Sequence, residues 1–303
     1  MSGAPAVRTV LGDVPPGDLG VCDSHDHLFL SSPSLPGQEL DDPVAAEAEL
    51  RAFRAVGGGT LVQWTPRGMG RRRAELAACS RRTGVHVVAA TGLHQARHYA
   101  PEVRAHLLDG LAERFVADLT TAPVRAGLIK TAGAFHGLDD RARYVMTAAA
   151  EAHHATGAPI AVHLEQGTGA PQVLDLLCGR LGVPPTSVVL GHLGRDPDGR
   201  AHVRVARTGC FLAFDGPSRA HHATDWRLLD LLAGLADAGC AEQLLLGGDT
   251  TTAAARASTG GGPGVPHLLT GLRPRLAEEF GEEFVRAVFV TNPARAFAVD
   301  WRA

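Results

Sequence analysis

The sequence predicts an α/β fold, a single (β/α)8 TIM barrel spanning residues 1–303, and three observations carry that prediction. Eight short β-rich runs alternate with Ala/Leu/Arg-rich stretches of helical length, the pattern of a parallel sheet with crossover helices. The run ends recur about every 30 residues, the length of one βα unit. A chain of 303 residues with 45% hydrophobic and 20% charged content is also the size of one such barrel, although length alone would suit two domains equally.

The runs fall at 21–24, 60–64, 86–91, 126–131, 160–163, 187–191, 210–214 and 244–247. Each is short and rich in β-branched or other apolar residues. Between them, 43–56, 71–83, 103–119, 140–156, 170–181 and 223–238 place apolar residues at i, i+3 and i+4 and are predicted as helices. Asp41 or Asp42 ahead of Pro43 supplies an N-cap with proline in the first turn. The Gly/Pro-rich stretch 258–266 exceeds a tight turn and is predicted as the loop after the eighth strand. A barrel of this kind carries its chemistry at the carboxyl ends of the strands.

Composition excludes several classes. A net charge of -3 with no basic stripe disfavours nucleic acid, and Arg71-Arg72-Arg73 is too short to form one. No run of 18 apolar residues exists, and the first twenty residues lack the apolar core of a signal peptide, so neither membrane nor export is expected. The five cysteines are odd in number and contain no C-x-x-C pair. Reduced thiols and a cytoplasmic location are the expectation.

The strand ends carry the chemistry. His25 and His27 lie two residues apart, so in a strand they point to one side and suit a divalent metal such as zinc. Among 15 histidines such a pair also arises by chance, and the later strands must decide. Lys130 sits inside the apolar run ending the fourth strand, where burial favours a neutral, nucleophilic amine. A lysine snorkelling from the rim or paired with a carboxylate is the alternative. His163 and His192 end the adjacent fifth and sixth strands. Asp249 ends the eighth, as a metal ligand, a general base or a helix N-cap.

The set His25-x-His27, Lys130, His163, His192 and Asp249 resembles the amidohydrolase superfamily, and within it the phosphotriesterase family. The stretch 23–29, Ala90-Thr91-Gly92, Gly191-His192-Leu193-Gly194 and Thr291-Asn292-Pro293-Ala294-Arg295 support the narrower match, which runs from about Gly20 to Val299. The resemblance implies two divalent metal ions, zinc foremost with manganese, cobalt or iron as alternatives. One is held by His25, His27 and Asp249, the other by His163 and His192, and a CO2-derived carbamate on Lys130 bridges them. A metal-bridging hydroxide would attack a lactone or carboxylic ester, with phosphotriester cleavage as a side activity, and Asp249 would accept its proton and pass it towards the leaving group. A small-molecule substrate and a homodimer are implied as well. Amide (N-acyl) hydrolysis is the rival activity, since the attack is the same. A non-catalytic metal-binding barrel is disfavoured because no ligand type is missing.

The chain departs from the family pattern at the pocket. Gly247-Gly248 stand where many relatives have Ser-His, and the third and seventh strand ends are Thr91-Gly92-Leu93-His94 and Phe214-Asp215-Gly216. His94 and Tyr99 become candidates to line the pocket, and Arg219 to replace a missing arginine. Arg67, Arg71 and Arg195 near strand ends would suit an anionic substrate, although loop arginines are more often simply solvated. The loops 215–224 and 250–272 are expected to set substrate choice and close over the pocket, with Gly260-Gly261-Gly262-Pro263-Gly264 giving the second its backbone freedom.

Overall fold

A computed structural model describes residues 4–215, 225–259 and 261–302. A short antiparallel hairpin, β1 (Ala6–Thr9) and β2 (Gly12–Val14), precedes eight parallel strands. These are β3 (Val21–Asp26), β4 (Gly58–Gln63), β5 (His86–Gly92), β6 (Leu128–Ala132), β7 (Ile160–His163), β8 (Val188–Gly191), β9 (Phe211–Asp215) and β10 (Leu244–Gly247). They pair in chain order from β3 to β10, and β11 (Ala298–Val299) returns antiparallel to β1. The two ends of the sheet meet where Asp249 N–H donates to His25 O at 2.9 Å. Gly247 allows that approach, since a Cβ there would lie 2.5 Å from His25 O.

Alternation along the strands sorts two cores. Cys22, Val62, Trp64, Val88, Ala90, Leu128, Ala161, Val189, Ala213 and Leu245 form one cluster, joined by Val7, Leu19 and Phe297 from the hairpin and the C-terminal segment. Their neighbours Leu61, Val87, Ala89, Ile129, Ile160, Val162, Leu190, Leu212 and Leu246 belong to a second, larger cluster that includes the helices. The period of two therefore separates the barrel interior from the layer under the helices. Lys130 falls on the interior phase with Leu128, so its ammonium end enters the barrel mouth rather than the helical layer.

The helices are α1 (Pro43–Ala55), α2 (Arg73–Thr83), α3 (Pro101–Leu107), α4 (Leu111–Thr120), α5 (Asp140–Thr156), α6 (Ala170–Leu174), α7 (Gly199–Ala206), α8 (Leu228–Asp237), α9 (Arg273–Arg286) and α10 (Asn292–Phe297). Asp42 caps α1, accepting from Val44 N–H at 2.8 Å, and Asp139 caps α5, accepting from Ala142 N–H at 2.7 Å. The helix predicted at 103–119 is two, because Gly110 takes a left-handed backbone (φ 56°) and restarts the chain as α4. Of the predicted helix 223–238, residues 223 and 224 lie outside the described residues and α8 begins at Leu228. Helices α7, α9 and α10 are additions to the predicted set. Among the described residues no helix is long and apolar enough to cross a membrane.

Candidate metal centre

The carboxyl ends of β3, β6, β7, β8 and β10 bring together all six predicted ligand residues. His25, His27, Lys130, His163, His192 and Asp249 line one cavity of about 210 Å³. Strand β3 carries an extra residue against β4 between Asp23 and Asp26, a bulge that bends the strand where His25 projects. The His25 ring stacks on the buried Trp64 at 3.8 Å between centroids, and Trp64 Nε1–H donates to Ser24 O at 2.8 Å.

Each of the four imidazoles has one nitrogen tied outward. His25 Nδ1 lies 3.2 Å from Asp215 Oδ1, and His192 Nδ1 contacts Asp215 Oδ2. His27 Nδ1 is 2.7 Å from Thr65 Oγ1, whose own hydrogen goes to Phe29 O, and His163 Nε2 is 3.2 Å from Glu165 Oε2. Those acceptors place the ring protons on the outer nitrogens, so the inner nitrogens present lone pairs. The inner nitrogens form two groups. His25 Nε2 and His27 Nε2 lie 3.5 and 3.4 Å from Asp249 Oδ1, and their ligand atoms fall within the 4.8 Å of one another that a single ion requires. His163 Nδ1 and His192 Nε2 face each other at 2.7 Å. Two lone pairs pointed at each other repel unless a cation lies at the same point, so this donor set fits divalent metal.

Burial supports the neutral imidazole, pulling His192 down to about 4 and His163 well below its ordinary value, the latter helped by His192. Lys130 is 3% exposed, and burial lowers its pKa to about 7 against the opposing pull of Asp249 and Glu165. Gly92 makes this position accessible to β5, because a Cβ there would sit 2.0 Å from Lys130 O.

The arginines divide. Arg195 belongs to the site, its Nη2 donating to Asp249 Oδ2 at 2.7 Å and to Asp215 Oδ2 at 3.2 Å. Arg67 and Arg71 instead converge on Asp118 in α4, at 2.5 and 3.0 Å, and do not line the cavity. That carboxylate claims both, so they neither face an anionic substrate nor stand simply solvated, the reading the sequence favoured. His94 lines the cavity and its ring lies 4.5 Å from that of His163. Tyr99 stands behind it, 3% exposed, with its hydroxyl accepting His94 N–H at 2.7 Å; it supports the lining rather than joining it. Arg219 lies outside the described residues.

Arg97 and His98, also on the loop after β5, line the cavity with Glu165 and Gln166 after β7, opposite in character to Leu30, Leu35, Pro66 and Met69 after β3 and β4. The loop after β10 contributes Thr251 beyond Asp249. Much of the rest of it is anchored away from the mouth. The buried Glu49 carboxylate of α1 accepts from Ala257, Ser258 and Val265 N–H at 3.3, 2.8 and 2.8 Å, and Arg256 is buried against Leu28 O. Those bonds leave this part of the loop less freedom than its glycines suggested, and residues 216–224 of the companion loop 215–224 lie outside the described residues.

Sequence reasoning missed Asp215, Glu165, Thr65, Asp23 and Asp26. Asp215 ends β9 as Asp249 follows β10, and that shared position was its signal. Burial opposes its ionisation, yet His192, His25 and Arg195 hold its carboxyl well below the usual range. Asp26 accepts from His27 N–H at 2.7 Å and Thr250 N–H at 2.9 Å, and Asp23 from His25 N–H at 3.1 Å and Gly248 N–H at 3.3 Å. Burial and the adjacent Asp26 raise Asp23 well above the ordinary carboxyl value, and the pair fixes the backbone at the ends of both strands.

Comparison with known proteins agrees with this geometry. A phospho-furanose lactonase from Mycoplasmopsis synoviae is 28% identical, covering 97% of this chain and 92% of its own. A human N-acetyltaurine hydrolase is 26% identical, covering 95% and 96% respectively. Among solved structures, a lactonase from Listeria monocytogenes superposes with a TM-score of 0.90 at 28% identity, over 96% of this chain and 98% of that one. The model of the phosphotriesterase family matches residues 5–297, and the chain accordingly belongs to the phosphotriesterase family.

Proposed function

We propose that the chain is a binuclear-metal-dependent hydrolase of lactones or other carboxylic esters. The observation that carries the metal part is the hydrogen-bond pattern: four imidazoles with outer nitrogens beside acceptor oxygens and inner nitrogens converging in two groups. His25, His27 and Asp249 would hold one ion and His163 and His192 the other. Lys130 reaches the same cavity, and the neutral amine that burial favours is the form that takes up CO2 to give a two-oxygen carbamate. Bound divalent ions would supply Lewis acidity and a water acidic enough to ionise near neutral pH.

The chain's own groups do the rest. Asp249 offers Oδ1 towards His25 and His27 while Arg195 holds Oδ2, which fixes the carboxylate as the proton acceptor beside the attacked carbonyl. Leu30, Leu35, Pro66 and Met69 exclude water from one part of the cavity, and Arg97 and Arg195, each paired with a carboxylate, make the other part polar. That combination suits a small substrate with an apolar part and a polar, hydrogen-bonding part. The lactonase relatives favour an ester bond. An amide is the second reading, favoured by the N-acetyltaurine hydrolase relative.

The test is a hydrolysis screen of metal-loaded protein across lactones, linear esters, N-acyl amino acids and phosphotriesters. The expected result is the highest kcat/KM for a lactone or ester. An N-acyl amino acid turned over faster than every lactone would replace the ester reading with the amide one.

A further inference from the structure

We propose that Glu165 is a positioning residue that controls the second metal alone, by holding His163 in its ligating tautomer. The inference rests on the binuclear reading and goes beyond it. Glu165 follows β7 by two residues, and its Oε2 receives three donors: His163 Nε2 at 3.2 Å, Gln95 Nε2 at 2.9 Å and Arg97 Nη2 at 2.8 Å. The outer partners of the four histidines are thus unequal. Asp215 serves one histidine of each proposed metal pair, and Thr65 serves His27 within the strand framework. Glu165 serves His163 only, and it is shared with the loop after β5 as Asp215 is shared with Arg195.

The consequence follows from the chemistry of an imidazole. When a carboxylate accepts the Nε2 proton of His163, the lone pair stays on Nδ1, which faces His192 Nε2 at 2.7 Å, and the ring becomes a stronger ligand. Without that acceptor the proton can move to Nδ1 and block coordination. Among the described residues His163 is the one candidate-ligand imidazole that Glu165 hydrogen-bonds, while His25 and His27 are oriented by Asp215 and Thr65, so the loss is expected at the second ion. Gln95 also donates to Gly133 O at 2.7 Å. The loop after β5 is thereby clamped to the end of β6 through Gly133 O and to the end of β7 through the same oxygen that orients His163.

A purely structural role would make Glu165 a tie between loops. The two roles separate experimentally. Metal-depleted protein is titrated with zinc in competition with a chromophoric chelator, and thermal unfolding confirms that each variant is folded. The unsubstituted protein should bind two ions per chain. Glu165→Gln and Glu165→Ala should retain the first with unchanged affinity and bind the second about 10–100-fold more weakly, with Ala worse than Gln. The double variant Gln95→Ala/Arg97→Met removes both loop ties and leaves His163 its carboxylate; its second ion should bind within about threefold of the unsubstituted protein. Equal loss at both ions in the Glu165 variants, no loss at either, or a double variant as weak as Glu165→Ala would each overturn the proposal. Fewer than two ions in the unsubstituted protein would instead overturn the binuclear reading, and the proposal with it.

Discussion

Asp118→Asn tests whether the arginines near the third strand are structural or substrate-facing. The carboxylate is 6% exposed and meets Arg67, Arg71 and Arg73, whose side chains are 26%, 14% and 22% exposed, and it also accepts from Thr91 Oγ1 at 2.6 Å. Burial together with Arg73 and Arg67 already pulls Arg71 down to about 10 with Asp118 in place. An asparagine keeps one acceptor oxygen and turns an NH2 towards a guanidinium. Breaking a buried pair costs about 3–5 kcal/mol, and the residual solvation of the arginines reduces this to about 2–3 kcal/mol. At roughly 2 °C per kcal/mol for a chain of this size, Tm should fall by about 4–6 °C. Burial opposes ionisation of Asp118, but Arg71, Thr91 and Arg67 set its pKa below the ordinary value. Its contribution is therefore present above the unfolded carboxyl range and lost as pH falls through the depressed value, so the gap between the two proteins should be steady from pH 7 to 5 and narrow below about pH 4. Circular dichroism melts across that range measure it. An unchanged Tm accompanied by a raised KM for an anionic substrate would return these arginines to the pocket.

Lys130→Met should lower bound metal below two ions and reduce kcat by more than the ~10–100-fold expected for an outer partner; acetate or propionate should partly restore Lys130→Ala, and full activity in the methionine variant would remove lysine from the centre. Asp215→Ala should weaken both ions by about tenfold or more, because it removes the acceptor oxygens of His25 and His192 together, and metal titration showing loss at one ion only would contradict the shared geometry. Gly247→Ala should destabilise by about 2–3 kcal/mol in urea unfolding, since its methyl meets the His25 backbone; a neutral result would mean that the strands meet elsewhere.

The six candidate ligands were legible because each lies at or near the end of an apolar run, and a run short enough to be a strand fixes where its last side chains point. Asp215 occupies the same kind of position, but an acid after a strand reads equally well as a helix cap, and only its contacts to two rings distinguish it. Glu165 and Thr65 were hidden for a different reason: orienting a ligand demands a place in space, not a spacing in sequence. Gly110 divides α3 from α4 within an otherwise continuous apolar period, and α7 spans only 199–206, too short to register by periodicity. The anchoring of the last loop by Glu49 depends on a carboxylate more than 200 residues away in the chain, and no local pattern announces such a contact.

The meeting of β3 and β10 has one more consequence. Among the described residues these strands share no ladder register and are joined instead by single bonds, from Asp249 N–H to His25 O and from Gly248 and Thr250 N–H to Asp23 and Asp26. The proposed first ion would draw its ligands from both sides of that line, with His25 and His27 on one and Asp249 on the other. Cofactor and scaffold then act as one clasp: the ion closes the cylinder at its least laced edge, and the closed cylinder is what brings the ligands together. Stripping the ion should loosen this edge first, speeding amide hydrogen exchange along Val21–Asp26 and Leu244–Gly247 while Leu128–Ala132 and Ile160–His163 on the laced side stay protected.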